Sequence, residues 1–299
     1  MRNDKNQRQH IDKNLAEMLR TNVQQKQHYE SDNPHIETGG AATRLWARTR
    51  RIMQGRTKNA GIDDDMHRLH REWLGELAGK KVLDLGCFAG NPLSLHLART
   101  SASYLGLDLS ELAVRKLNQS LVEEGLYGPE TKALAGDFLS PTFNETHFDV
   151  VYARSVLHHF EYLNAALRLL HNKLVPGGIV VTWDAMETSL PVRVARTFYR
   201  PFQSDKNWEY PFTRATFRSF QEYFVLEHLQ GILGRSKWGF LLAPLGTDHA
   251  VHLARRWHEH DLEHANKLGT DLWQCMQVVM KLRRAPTSKE ATRRSRSLY

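Results

Sequence analysis

Val82-Leu83-Asp84-Leu85-Gly86-Cys87-Phe88-Ala89-Gly90-Asn91 is the stretch that decides the fold. A short apolar run, Val82 to Leu85, is predicted to be a buried strand that enters a loop with glycines at Gly86 and Gly90. A helix is expected to start near Asn91-Pro92, and a second apolar run, Tyr104 to Leu107, ends in Asp108. Strand, glycine loop, helix, strand and terminal acid is the sequence form of a nucleotide-binding βαβ unit. Its glycines allow a tight turn close to a ligand, and its distal acid can accept hydrogen bonds from a ribose diol.

The loop departs from two familiar phosphate cradles. It has no third glycine at the dinucleotide spacing, and no Gly-Lys-Ser/Thr follows, which excludes a P-loop. Asp84 also sits inside the strand end, where a carboxylate is a poor neighbour for pyrophosphate but suits an ammonium or sulfonium group.

Outward from this unit, strand and helix signals alternate. Strands are predicted at 81–85, 103–108, 132–135, 148–153, 178–183, 224–233 and 277–282, with helices at 92–100, 110–124 and 161–174. Short apolar strands alternating with helices indicate a parallel sheet covered on both faces. Pro176-Gly177-Gly178 is expected to stop the third of these helices. Thr213 is predicted to cap another helix, and a largely helical segment spans about 247–275. Ligands bind outside the carboxyl ends of such strands. Asp84 to Asn91, Asp108, Asp137, Arg154 to His159 and Asp184 all lie there.

Five motifs in order carry a resemblance. The opening stretch resembles the first motif of class I S-adenosylmethionine-dependent methyltransferases. Leu105-Gly-Leu-Asp-Leu-Ser110, Ala135-Gly-Asp-Phe138, Phe148 to His159 and Leu174-Val-Pro-Gly-Gly-Ile-Val-Val181 look like the motifs that follow it. The resemblance implies an α/β, Rossmann-like fold: a seven-stranded mixed sheet of order 3-2-1-4-5-7-6, last strand antiparallel, with helices on both faces. It implies S-adenosyl-L-methionine as cofactor, held by Asp84, Gly86, Cys87, Phe88, Gly90, Asn91, Asp108, Leu109, Asp137, Phe138 and Arg154. Phe88 departs from the pattern, which usually has glycine there. No Asn/Asp-Pro-Pro-Tyr/Phe stands at Ala153-Arg154-Ser155-Val156, so exocyclic base amines and glutamine amides are not the expected acceptors. A cytosine-C5 enzyme would need Pro-Cys there, and Cys87 and Cys275 are misplaced for it.

The implied enzyme acts on a small-molecule acceptor: a metabolite, saccharide or lipid-like compound. His158 is the first candidate for a general base and His159 its near equal, because an imidazole past the fourth strand faces the acceptor side. The aromatic segment Tyr199 to Phe212 either stacks on the acceptor or anchors a long loop. His260 and His264 are four apart, but no metal motif surrounds them, and no metal is expected.

The organisation reads as an N-terminal helical extension or lid at 1–78, a methyltransferase-like domain at 79–284 with a helical insertion at about 234–275, and a basic disordered tail at 285–299. Helical spacing at Ile11, Leu15, Met18, Leu19 and Val23 marks the first part, and Tyr29, His35 and Trp46 are candidates to close over the cofactor. The formal net charge is +8, and Lys281, Arg283, Arg284, Lys289, Arg293, Arg294 and Arg296 face only Glu290 at the C-terminal end. That end reads as a solvated tail. The rival functions are an RNA or protein methyltransferase using the tail, or a non-catalytic protein that binds the cofactor. Nucleic acid is not the expected partner, and the oligomeric state stays open. With two cysteines, no apolar h-region after Met1 and no apolar run long enough to span a membrane, a cytoplasmic location is expected.

Overall fold

The computed structural model describes residues 2–30, 40, 41, 43–45, 47, 48, 51, 60–203, 205–238 and 247–286. Seven strands form one sheet: β1 (Lys81–Leu85), β2 (Ser103–Asp108), β3 (Thr131–Ala135), β4 (Phe148–Arg154), β5 (Leu174–Ala185), β6 (Phe224–Ile232) and β7 (Gln277–Arg284). Their order is β3-β2-β1-β4-β5-β7-β6. β1 to β5 pair in parallel, and β7 runs antiparallel to both of its neighbours. The expected seven-stranded order is what the chain adopts. β1 and β4 are mostly buried on both faces because helices cover both, which removes the hydrophobic-polar alternation of a half-exposed strand.

α1 (Arg2–Tyr29), α5 (Leu163–Lys173) and α7 (Arg214–Tyr223) lie on one side; α2 (Ile62–Leu74), α3 (Ser94–Thr100) and α4 (Glu111–Glu123) lie on the other. Met18 of α1 is buried in the first core, with Leu15 and Leu19 packed against it, while Val23 stays exposed. The helix of the N-terminal spacing is therefore docked along the body. Ser110 caps α4, its hydroxyl accepting from Ala113 N–H at 3.1 Å. Thr213 precedes α7, its N–H donating to the Thr216 hydroxyl at 2.9 Å.

Three details differ from the sequence reading. Pro176-Gly177-Gly178 does not end a helix: α5 stops at Lys173 and β5 begins at Leu174. Phe148 opposes Leu174 and Val150 opposes Ile179, so Val175 to Gly178 form a bulge in which Gly177 takes φ +80°. A helix that was not expected, α6 (Leu190–Tyr199), precedes the aromatic segment. The segment after β6 divides into α8 (Thr247–His264) and a short helix, α9 (Thr270–Trp273). The tail's first cations are also structural. Lys281 and Arg283 pair with Glu227 of β6, and Arg284 donates to Leu174 O at 2.7 Å. His35, Trp46 and residues 287–299 lie outside the described residues.

Candidate active site

The first loop is shaped by backbone that only some residues tolerate. Gly86 and Gly90 take φ +67° and +101°, and a Cβ on Gly86 would stand 2.2 Å from Val156 Cγ2. The loop after β1 therefore touches the loop after β4 through a missing side chain. Phe88 also has positive φ, +47°, which explains why glycine is usual there. Its ring points outward, 6.5 Å from that of Tyr29.

Asp84 is completely buried. Asn91 Nδ2 donates to both of its oxygens at 2.9 and 3.0 Å, Ser94 Oγ to Oδ2 at 2.6 Å and Tyr104 OH to Oδ2 at 2.8 Å. Burial pushes its pKa up to about 6 against these donors. The carboxylate thus braces the loop from beneath, tying strand end, loop and α3 together. Cys87 is buried under the same loop, and burial pushes its thiol well up, so it is an inert filler.

Asp108 ends β2 with Oδ2 accepting from Phe88 N–H and Oδ1 from Ser110 N–H, each at 2.9 Å. These backbone donors, with Leu109 N–H also acting on the group, fix the carboxylate without using all four of its lone-pair sites. Burial raises its pKa, with Glu30 adding to the effect. Asp137 accepts from Leu139 N–H at 2.9 Å and from Asn22 Nδ2 at 2.9 and 3.0 Å, and Phe138 beside it is buried.

α1 crosses this edge. Besides Asn22 on Asp137, Glu30 accepts from Glu111 N–H at 2.5 Å and Leu112 N–H at 3.2 Å at the start of α4, and Lys26 pairs with Glu111. Tyr29 lies between Phe88 and His159, whose ring is 6.4 Å away. Of these, only Tyr29 was expected from sequence; nothing in a polar helix marks Asn22 or Glu30.

Past β4, the two histidines separate in role. His158 Nδ1 lies 2.8 Å from Asp184 Oδ1, which also accepts from His158 N–H at 3.1 Å. Thr182 Oγ1 donates to the other oxygen of Asp184. This fixes a tautomer with the proton on Nδ1 and the lone pair on Nε2. His159 turns Nδ1 to Trp208 O at 2.8 Å, and burial pushes its pKa down to about 4, followed by the effect of His158. Arg154 stacks over Trp183 with Cζ 4.7 Å from the ring centre, on the α2 side.

The aromatic segment anchors itself. Trp208 and Phe212 are buried, Phe212 against Phe220 at 5.2 Å and Trp208 against His28 at 5.4 Å. Arg200 donates to Lys206 O and Glu209 O. His260 and His264 stack on each other at 4.1 Å. Among the described residues no three His, Cys, Asp or Glu side chains form a group that could hold a metal.

Residues 83–182 match the family model described as a methyltransferase domain. The match takes in a third of the chain, from β1 to β5. Two curated relatives each match about two fifths of the chain. The ubiquinone biosynthesis O-methyltransferase of Pseudomonas syringae pv. tomato is 36% identical over 121 residues, covering 39% of this chain and 50% of its own. The sterol 24-C-methyltransferase ERG6B of Gibberella zeae is 32% identical over 117 residues, 39% of this chain and 30% of its own. The chain thus spans half or less of the length of these two relatives. The methyltransferase domain also has the fold of geranyl diphosphate C-methyltransferase from Streptomyces coelicolor, with TM-score 0.52 and 14% identity over 75% of this chain and 79% of that one.

Proposed function

We propose that the protein transfers a methyl group from S-adenosylmethionine to a small-molecule acceptor. The observation that carries this reading is Asp108, half-buried at the end of β2, holding the glycine loop through Phe88 N–H while keeping acceptor capacity for a ligand. The residues present fit the cofactor: Gly86 and Gly90 would let backbone come close to it, Asp108 would receive the ribose hydroxyls, and Asp137 with Phe138 would flank the adenine. When bound, the cofactor supplies an electrophilic methyl on a sulfonium.

The chain's own part is alignment, exclusion of water and proton removal. Asp84 holds the loop by way of Asn91 and Ser94. α1 covers the cofactor edge and closes the site there. His158 removes the acceptor proton at Nε2, and Asp184 holds the imidazole in the required tautomer. His159, kept neutral, lines the site beside Tyr29. The relatives named for ubiquinone and sterol methylation act on small molecules, which supports an acceptor of that size. Among the described residues no helix is long and apolar enough to cross a membrane. Lys281, Arg283 and Arg284 are taken up by Glu227 and Leu174, so they offer no patch for a polymer.

Calorimetric titration with S-adenosylmethionine tests the reading. One site is expected, and Asp108→Ala should weaken it by about 1–3 kcal/mol through lost charge-assisted hydrogen bonds. Absence of heat in the wild-type chain would overturn it.

A further inference from the structure

One cluster beside the edge takes no part in the cofactor contacts proposed above: the resemblance counts Arg154 among the cofactor's residues, but its guanidinium lies over Trp183 on the α2 side. Arg154 is the last residue of β4 and pairs in register with Trp183 of β5. Its guanidinium lies over the Trp183 ring, and among the described residues it has no carboxylate or carbonyl partner. Two histidines of α2 face the same indole. The His67 ring centre is 6.0 Å and that of His70 is 5.6 Å from Trp183. His70 is fully buried and uses only Nδ1, 2.9 Å from Tyr152 OH. Its Nε2, His67 Nε2 and Arg154 Nε are all buried without a hydrogen-bond partner.

Three orphaned nitrogens around one indole need an explanation, because a buried polar atom without a partner is costly. The indole itself is fixed, its Nε1–H donating to Gln277 Oε1 at 2.9 Å. The end of β4 is fixed too, with Ser155 N–H donating to Trp183 O at 2.7 Å. Burial and the neighbouring Arg154 both lower the pKa of His67 and of His70, so the imidazoles are neutral. Asp63 and Asp64 on the first turn of α2 act on His67 in the opposite sense. The fixed positive charges are then Arg154, over the indole, and Arg71 of α2, which also acts on His67. α2 is held in place from outside, where Arg255 of α8 pairs with Asp65.

We propose that Arg154, His67 and His70 form a site for an oxyanion group, carboxylate or phosphate, carried by the methyl acceptor. A guanidinium held over an indole can turn N–H donors toward such a group, and neutral imidazoles can add N–H donors. The site stands on the face of β4 and β5 opposite to His158 and Asp184, at the same strand ends. An acceptor held there by its anionic end can reach over the edge with its reacting atom toward His158. The acceptor role rests on the methyl-transfer activity proposed above; the anion binding does not.

The test uses the full chain at constant ionic strength, titrated calorimetrically with inorganic phosphate and, separately, with acetate. At least one should bind at one site per chain, and the stronger of the two tells phosphate from carboxylate. Arg154→Met should weaken that binding about tenfold or more, and Arg154→Lys should recover only part of it. S-adenosylmethionine affinity should stay within about threefold of wild type in both variants. If Arg154→Met does not fold, as judged by circular dichroism, His67→Leu carries the same readout. Neither anion binding to the wild type, or equal binding to the variants, overturns the site. Lost cofactor affinity in a folded Arg154 variant also overturns it, because Arg154 would then belong to the cofactor. A wild-type chain that binds the anion through Arg154 but no S-adenosylmethionine keeps the site and removes the methyl-transfer reading.

Discussion

Replacing Gly86 with alanine tests how the first and fourth loops are joined. The substitution has two separable costs. Gly86 sits at φ +67°, where a Cβ costs about 1–2 kcal/mol. The new methyl would also stand 2.2 Å from Val156 Cγ2, a contact no pair of carbons sustains. Val156 is held between β4 and the His158 turn, so it cannot swing away freely, and overpacking adds roughly 1–3 kcal/mol. Gly86→Ala should therefore cost about 2–5 kcal/mol in total. Val156→Ala removes Cγ2 and leaves Cβ at 3.4 Å, an ordinary contact. In the double variant the steric share should vanish and the backbone share remain. Urea unfolding of the four chains gives the cycle, and a coupling of about 1–3 kcal/mol in favour of the double variant is expected. Simple additivity would refute the idea that the two loops meet at this missing side chain.

Three further outcomes follow from the same geometry. Asp184→Asn should lower kcat about a hundredfold with little change in KM once an acceptor is in hand, because it loses the tautomer lock on His158 and not a binding contact; unchanged kcat would exclude His158 as base. Asp84 has its folded pKa raised to about 6, so its protonated form is the one the fold prefers. Its contribution to stability is greatest below the unfolded value and is lost as pH rises to about 6, a change of roughly 3 kcal/mol. Wild type minus Asp84→Asn, measured by unfolding between about pH 4 and pH 7, should show that fall, and a flat difference would mean the carboxylate is ionised throughout. Asn22→Ala leaves Asp137 with only Leu139 N–H, and should speed amide hydrogen exchange in residues 15–30 by about tenfold or more; unaltered exchange would mean the apolar contacts of Met18 alone hold α1.

The strands were legible because a sheet covered on both faces leaves dense apolar runs, as in Val82 to Leu85 and Phe148 to Ala153, each interrupted by a single aspartate. Asp108 and the glycines were legible because backbone geometry and a strand-terminal acid leave marks one residue wide. Other features depend on contacts distant in sequence. The bulge at Val175 to Gly178 reads as a helix stop until its pairing with β4 is known. α6 carries apolar residues four apart at Leu190, Val194 and Phe198, a helical spacing that the sequence reading passed over, and the structure leaves that face exposed. The aromatic segment gave no sign of whether its rings faced a ligand or the body; His28 and Phe220 decided for Trp208 and Phe212. His158 was readable as a candidate, but its preference over His159 rests on Asp184 and Thr182, twenty-six and twenty-four residues away.

The two-residue period of β5 ties these points together. Thr182 and Asp184 point to the side of α1 and α5, where they hold His158; Trp183, between them, points to α2, where it carries Arg154 and faces His67 and His70. One strand end therefore divides its work between a proton acceptor on one face and a cationic surface on the other. A register slip of one residue in β5 would exchange the two faces, placing the indole against His158 and a carboxylate against Arg154. The antiparallel β7 guards against that slip, since Trp183 is pinned to Gln277 by a side-chain bond and to Val279 by register. The reversed last strand, which in topology alone is only a signature of the fold, thus keeps the base and the guanidinium on opposite sides of the edge.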